Sequence, residues 1–443
     1  MKNFFSSKIF RFIWSAALAA LIYMVCPPCF SKTVLLVLLA VQLLLINMAH
    51  IIGSFVIVTH IARVAVGGLF IFSGFIKAND PLGFSYKLQE YFEVFKEATE
   101  ISILDTIYEW FAHMALPLAV IIVASELVLG IMLLIGFKRN LTLWLLFAQI
   151  AFFTFLTFYS ACFNKVTHCG CFGDFWKLTP WESFGKDVAL MILITLLFAG
   201  KENINPLFTD ALTGTVFLIG LVVSVAFPIY AYRNLPPLDF RAYAPGMNIK
   251  DNMKYPPTYR PDSIETGFIY ENLKTGEKKH FNMSNYPWQD TLNWKWAATD
   301  NVVIRPAIDA PKITDFNISS LDGANITDSL LNDKNYSFWL VAYDLSKTTD
   351  DEVLHAKIND FYKLAHDAGI NFVAFTASGP GEISDFKHKY SALYDFATVD
   401  GTVLKTMIRS NPGLMLMKNG TVVANWHYNN FPVFSDVKSK LMK

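Results

Sequence analysis

Cysteine is scarce in this chain: five residues in 443, and none after Cys171. So low a number excludes a small domain stapled by disulfides. The absence of cysteine from the C-terminal half excludes thiol exchange by that half itself. Excess charge of one sign is also lacking. With 37 basic and 37 acidic side chains the formal net charge is zero, so nothing favours a nucleic-acid partner, which needs a basic face for phosphates. No cleavable leader stands out, because the first apolar run is closely followed by a longer one that would remain as an anchor. Val25 is larger than the residue a lipoprotein cleavage site takes, which excludes lipidation at Cys26.

What the chain has instead is apolar length. Its apolar fraction is 53%, above the usual value of about 45–50%, and the composition breaks near Arg233. Crossing a hydrocarbon core takes roughly 20 helical residues. By that measure the sequence predicts about seven spans, at Ile9–Val25, Val34–Val58, Ile61–Ile76, Leu116–Gly136, Leu141–Cys162, Asp187–Ala199 and Leu212–Tyr230. His60 and Arg63 are expected to mark a turn between the second and third. Lys2, Lys8, Arg11, Lys138, Arg139 and Lys201, placed on the cytoplasmic side, put both cysteine pairs and everything after Tyr230 on the outer side. The expected location is the bacterial inner membrane, with the lipid bilayer as partner and the C-terminal domain extracytoplasmic.

The cysteines fall in two close pairs, Cys26-Pro27-Pro28-Cys29 and Cys169-Gly170-Cys171, with Cys162 nearby. Closely spaced thiols can form a disulfide and lower the pKa of one member, supplying a thiolate nucleophile. Exchange then runs through a mixed disulfide. Cys169, Cys171, Cys26 and Cys29 are therefore the candidate catalytic residues, and Cys162 a resolving or structural one. Two other readings stand beside this. Cys162, His168, Cys169 and Cys171 are a zinc-compatible set, but their spacing is tighter than common zinc motifs, so no metal site is expected. A structural disulfide stapling the loop is the third. Glu126, deep in an apolar span, is either a proton-handling group or a hydrogen-bonded tie between helices. Asn47 and His50 are read as interhelical hydrogen-bonders. The loop from Lys77 to Met114 carries Tyr91, Phe92 and Phe95 at helical spacing, which fits a helix on the membrane surface or one packed over the bundle.

The run Gly68-Leu69-Phe70-Ile71-Phe72-Ser73-Gly74-Phe75-Ile76-Lys77, the Glu126/Gly130 span and Cys169-Gly170-Cys171-Phe172-Gly173 resemble the DoxX-like membrane family, in particular its methylamine-utilisation MauE branch. The resemblance covers roughly Ile61 to Ala199. It implies a four-helix membrane bundle and a part in extracytoplasmic thiol redox or in maturing disulfide-containing partners. Two cysteine pairs facing one compartment are architecturally similar to quinone-linked thiol oxidases. That similarity names quinone as a cofactor to consider, ahead of zinc.

Beyond Arg233 the chain reads as an extended Pro/Tyr-rich linker (233–265), then a small β-hairpin module (266–305) in which Trp288, Trp294 and Trp296 are expected to form a mini-core. From 306 to 443, strands alternate with helices and close on a hairpin around Asn419-Gly420. This resembles the thioredoxin-like fold of the membrane-tethered cytochrome-maturation (TlpA) type, with Pro412 at that family's cis-proline position. Where the family carries its Cys-x-x-Cys, this sequence has Asp344-Leu345-Ser346-Lys347-Thr348. The expected domains are thus two N-terminal spans (1–60), a DoxX/MauE-like bundle (61–200), a last span (201–232) and the soluble parts just named. The expected function is thiol-disulfide redox or disulfide maturation of envelope proteins, possessing extracytoplasmic thiol proteins as partners. The alternative is a non-catalytic scaffold that docks partners beside Pro412. Solute transport past Glu126 is a third reading.

Overall fold

In the computed structural model, the described residues are 56–98, 102–163, 166, 170–261, 263–305 and 308–442. The expected first span and most of the second lie outside them, as do Asn47, His50, Cys26, Cys29, His168 and Cys169. The chain divides into two compact units. The first comprises Met1–Arg241 with Ile408–Gly413 and Trp426–Phe431; the second holds the remainder.

The first unit is helical: α1 (Val56–Asn79), α2 (Pro81–Ala98), α3 (Ser102–His113), α4 (Ala115–Ile135), α5 (Arg139–Phe163), α6 (Pro180–Ala199) and α7 (Asp210–Asn234). Among the described residues α1, α4, α5 and α7 are long and apolar enough to cross a membrane. Val66, Phe70, Leu129, Leu133, Leu146, Ile150 and Ile194 fill the core they share with α6.

Two sequence expectations change here. Helix α1 runs unbroken through His60 and Arg63, where a turn was expected. Arg63 stays helical because its guanidinium serves the C-terminal end of α4. It donates to the carbonyls of Leu133 (2.9 Å) and Leu134 (2.8 Å) in the last turn of α4, where helix carbonyls lack onward partners in the helix, and to that of Asn205 (3.1 Å) beyond. Helix α6 begins at Pro180 rather than Asp187. Thr179 caps it, accepting from the Glu182 N–H while Glu182 accepts from the Thr179 N–H, a reciprocal box written in Thr179-Pro180-Trp181-Glu182. The stretch after α1 packs over the bundle: Phe84 and Leu88 of α2 join Ala115, Ala119 and Val123 of α4 in one buried cluster.

In the second unit, residues 242–261 bury Tyr243, Ala244 and Ile249 and form the short helix α8 (Ile249–Met253). Next comes a three-stranded antiparallel sheet of β1 (Ser263–Asn272), β2 (Lys278–Asn282) and β3 (Trp294–Arg305), in the order β2-β1-β3. Trp288 and Trp296 are 60% and 55% exposed, so the expected tryptophan mini-core does not form. Tyr270, Phe281 and Trp294 pack together instead.

The α/β domain follows as β4 (Ser319–Ser320), α9 (Thr327–Leu331), β5 (Tyr336–Val341), α10 (Glu352–Asp367), β6 (Asn371–Thr376), α11 (Pro380–Tyr390), β7 (Asp395–Thr398), α12 (Gly401–Met407), β8 (Gly413–Lys418), β9 (Thr421–His427) and α13 (Phe434–Leu441). Its six strands order as β4-β7-β6-β5-β8-β9, with β5, β6 and β7 parallel. Phe338–Val341 and Gly413–Met417 are buried without alternation, as strands covered on both faces must be. The two residues Asn419-Gly420 link β8 to β9, a connection that only an antiparallel hairpin allows. The protein is therefore a helical membrane bundle joined to an α/β sheet domain of thioredoxin-like strand order.

Candidate functional site

The site begins where α1 and α4 come together. A Cβ placed on Gly130 would lie 2.9 Å from the Gly67 carbonyl oxygen and 3.0 Å from the Ile71 nitrogen, so a bare backbone is what lets the helices touch. This contact brings the last turn of α1 against the middle of α4. Lys77 Nζ lies 2.8 Å and 3.0 Å from the two carboxylate oxygens of Glu126, with side-chain exposures of 3% and 5%. The ammonium also faces the Phe153 ring at 4.2 Å and the Phe84 ring at 5.4 Å. A lone charge at this depth is costly; pairing and ring faces offset that cost. The Glu126 salt bridge joins α4 to α1. The partner of Glu126, Lys77, was not identified from the sequence.

A second pair, Lys186 with Asp187, enters from α6. Asp187 is fully buried and accepts from the Thr157 hydroxyl of α5 at 3.0 Å. Lys186 Nζ lies 5.6 Å from the Phe172 ring.

Cys171 lies on the clefts that these pairs line. Gly170 has φ +70°, a left-handed value that glycine adopts without strain. The turn it opens closes with a Gly173 N–H to Gly170 carbonyl bond of 3.1 Å. Cys171 and Phe172 are buried by this turn at 7% and 6% exposure, and the Ser73 hydroxyl of α1 donates to the Cys171 carbonyl at 3.0 Å. Cys171 lines two small clefts. One is shared with Lys77, Lys87, Tyr91 and Phe153, the other with Lys77, Glu126, Phe153, Lys186 and Asp187. Cys162 is half-buried at the end of α5. Among the described residues no group of three or more His, Cys, Asp or Glu side chains could hold a metal.

The three polar residues that end α1 and open α2 have separate tasks. Lys77 turns inward to Glu126. Asn79 clasps the backbone of Leu238, donating to its carbonyl (2.6 Å) and accepting from its N–H (2.9 Å). Asp80 takes the buried guanidinium of Arg409 at 2.9 Å, with Asp174 at 3.6 Å beyond. All of these contacts lie inside the first unit. Burial works against the charged form of Arg409, but Asp80 and Asp174 outweigh it and raise its pKa. Asp174 is three residues from Cys171, so Arg409 also anchors the cysteine loop.

Pro412 follows a cis peptide bond and is buried; its carbonyl accepts from the Ser410 hydroxyl at 2.5 Å. At the position expected for a redox pair, Asp344 instead caps a short turn, accepting from the N–H of Ser346 at 3.1 Å, and Leu345 is buried. Cys26, Cys29 and Cys169 lie outside the described residues, so of the candidate cysteines only Cys162 and Cys171 are placed.

No curated protein matches the chain. Solved structures similar to it include a candidate protein disulfide isomerase from Bacteroides thetaiotaomicron. That match has 15% identity and a TM-score of 0.24, covering 29% of this chain and 86% of the other. BsSco, of the Sco family of cytochrome c oxidase assembly proteins, has 15% identity and a TM-score of 0.24, covering 28% and 88%. Yeast Sco1 has 16% identity and a TM-score of 0.23, covering 28% and 88%. Residues 264–306, which hold the three-stranded sheet, match a domain of unknown function, DUF8463. Residues 55–200, which carry Lys77, Glu126 and the Cys171 loop, match the methylamine utilisation protein MauE family.

Proposed function

We propose that this protein carries out thiol-disulfide redox chemistry, or disulfide maturation of envelope proteins, at the outer face of the bacterial inner membrane. Cys169 and Cys171 form the working pair and Cys26 and Cys29 a second. The DoxX-like kinship of the bundle belongs to this same reading. The observation that supports it best is the setting of Cys171. Cys171 is buried and lines a cleft with Lys77 and Lys186, each paired with a carboxylate; a cation that such a pair can release favours a thiolate over a thiol. The MauE match over the same residues points the same way. In one turnover a partner dithiol attacks the protein's disulfide. The partner leaves as a disulfide, and the protein gains two electrons and two protons as a dithiol. The reverse direction uses the same groups.

A scaffold reading also has an observation in its favour: the sheet domain has a capped polar turn at Asp344 in place of redox cysteines. One measurement separates the two. Acid-quenched alkylation of the protein in membranes, across a series of redox buffers and read by mass, reports each cysteine's state. Cycling of Cys169 and Cys171 between thiol and disulfide supports the carrier. Cysteines fixed in one state across the range would leave the scaffold.

A further inference from the structure

The charged groups that line the two clefts around Cys171 are Lys77 from α1, Lys87 from α2, Glu126 from α4, and Lys186 and Asp187 from α6. Lys87 is 29% exposed and paired with Glu90, while Asp187 is held by both Lys186 and Thr157. Lys77 is the one of the five that lines both clefts, and its carboxylate partner lines the second. The Lys77–Glu126 pair is almost closed to water, so a change of net charge there is opposed by desolvation. One proton movement escapes that opposition. If the Cys171 thiol gives its proton to the Glu126 carboxylate, a lysine–carboxylate pair becomes a lysine–thiolate pair beside a neutral acid, and net charge does not change.

We propose that Lys77 and Glu126 control the ionisation of Cys171: at rest Glu126 holds Lys77, and when Glu126 takes the thiol proton Lys77 turns from the carboxylate to the thiolate. The S–H bond breaks, an O–H bond forms on Glu126, and no electron moves. This inference rests on the redox reading above and names the groups that ready its nucleophile. It also gives a reason for the depth of the pair: in a dry site the thiolate's attraction to Lys77 is little screened.

The test is the pH dependence of Cys171 alkylation in the full-length, reduced protein, using iodoacetamide and quantifying the Cys171 peptide by mass spectrometry. Glu126→Gln leaves Lys77 without its competing carboxylate and is expected to move the half-maximal rate to lower pH. The double substitution Lys77→Met with Glu126→Leu removes the cation without stranding a charge. It is expected to move the midpoint up by about one pH unit and slow the reaction about tenfold at pH 7. Lys77→Arg, which keeps the cation, is expected to bring the profile back toward that of the unaltered protein. Opposite shifts from the first two are a signature that loosened packing does not give. Superimposable profiles, or shifts in one direction, overturn the proposal. If the double variant does not assemble, an unmoved or upward profile for Glu126→Gln overturns it alone. Alkylation of reduced protein needs neither partner nor acceptor. Cysteines that cycle with an unmoved profile defeat this inference only, and a moved profile without cycling defeats only the redox reading.

Discussion

Lys77 and Glu126 are worth more together than apart. Removing one member of a buried pair strands the other's charge and costs about 3–5 kcal/mol, whereas replacing both by apolar groups is near neutral. Lys77→Met alone should therefore unfold at markedly lower temperature in detergent, and adding Glu126→Leu should recover most of the loss; equal melting of single and double variants would contradict this. His427 gives a pH prediction outside the membrane helices. It is buried, its Nδ1 accepts from the Asn429 N–H at 3.1 Å, and burial lowers its pKa to about 4. As pH falls below the ordinary histidine value of about 6.5, the unfolded chain takes up the proton and the folded one does not. Stability should decline between about pH 6.5 and pH 4, and His427→Gln should flatten that part of a melting-temperature profile. Of these residues only Glu126 was legible beforehand, because a carboxylate inside an apolar run announces itself. Lys77, 49 positions earlier, falls in the loop that follows the third expected span. Arg409 carries no motif that marks it in the sequence, and its pairing with Asp80 joins positions 329 apart.

Helix identity was easier to read than helix ends. The apolar runs of α1, α4, α5 and α7 marked their helices by length and composition, and the break near Arg233 coincides with the end of α7 at Asn234. The start of α1 was obscured by Arg63, whose charge suggests a turn unless one knows that α4 ends beside it. The start of α6 was legible in its capping box and was missed because hydropathy alone was followed. Contact between α1 and α4 makes a prediction at this scale. Gly130→Val puts atoms against backbone of α1 that cannot rotate aside, and overpacking of this kind costs about 1–3 kcal/mol. A Cβ on Gly68 meets nothing within 4 Å, so Gly68→Ala should leave the melting temperature almost unchanged. Similar losses from both would mean that the close approach is not what holds these helices.

Across the whole chain, Leu238 and Arg409, which follow α7, meet Asn79 before α2 and Asp174 of the Cys171 loop inside the first unit, and that contact requires α6 to cross the membrane if α7 does. The Cys171 loop lies between α5 and α6, and the sheet domain follows α7. If α6 and α7 both cross, two crossings separate loop and domain and they face the same side; if α6 does not, they face opposite sides. Helix α6 is 20 residues long, about 30 Å at 1.5 Å per residue, which is the length of a crossing, though it is less apolar than α1, α4, α5 and α7. Its charges at Glu182, Lys186 and Asp187 lie in its first half, which leaves Val188–Ala199 as the uninterrupted apolar part. The pairing of Lys186 with Asp187, and the Thr157 hydroxyl on that carboxylate, lower the cost of carrying those charges inward, so a crossing is expected. Cysteine substituted at Trp176 in the loop and at Lys274 in the β1–β2 turn, both exposed, should then react alike with a membrane-impermeant maleimide applied to spheroplasts. Labelling of Lys274→Cys without Trp176→Cys would mean that α6 returns to the side it left. The proposed thiol pair would then lie across the membrane from the sheet domain, and a redox partner could not be shared between them.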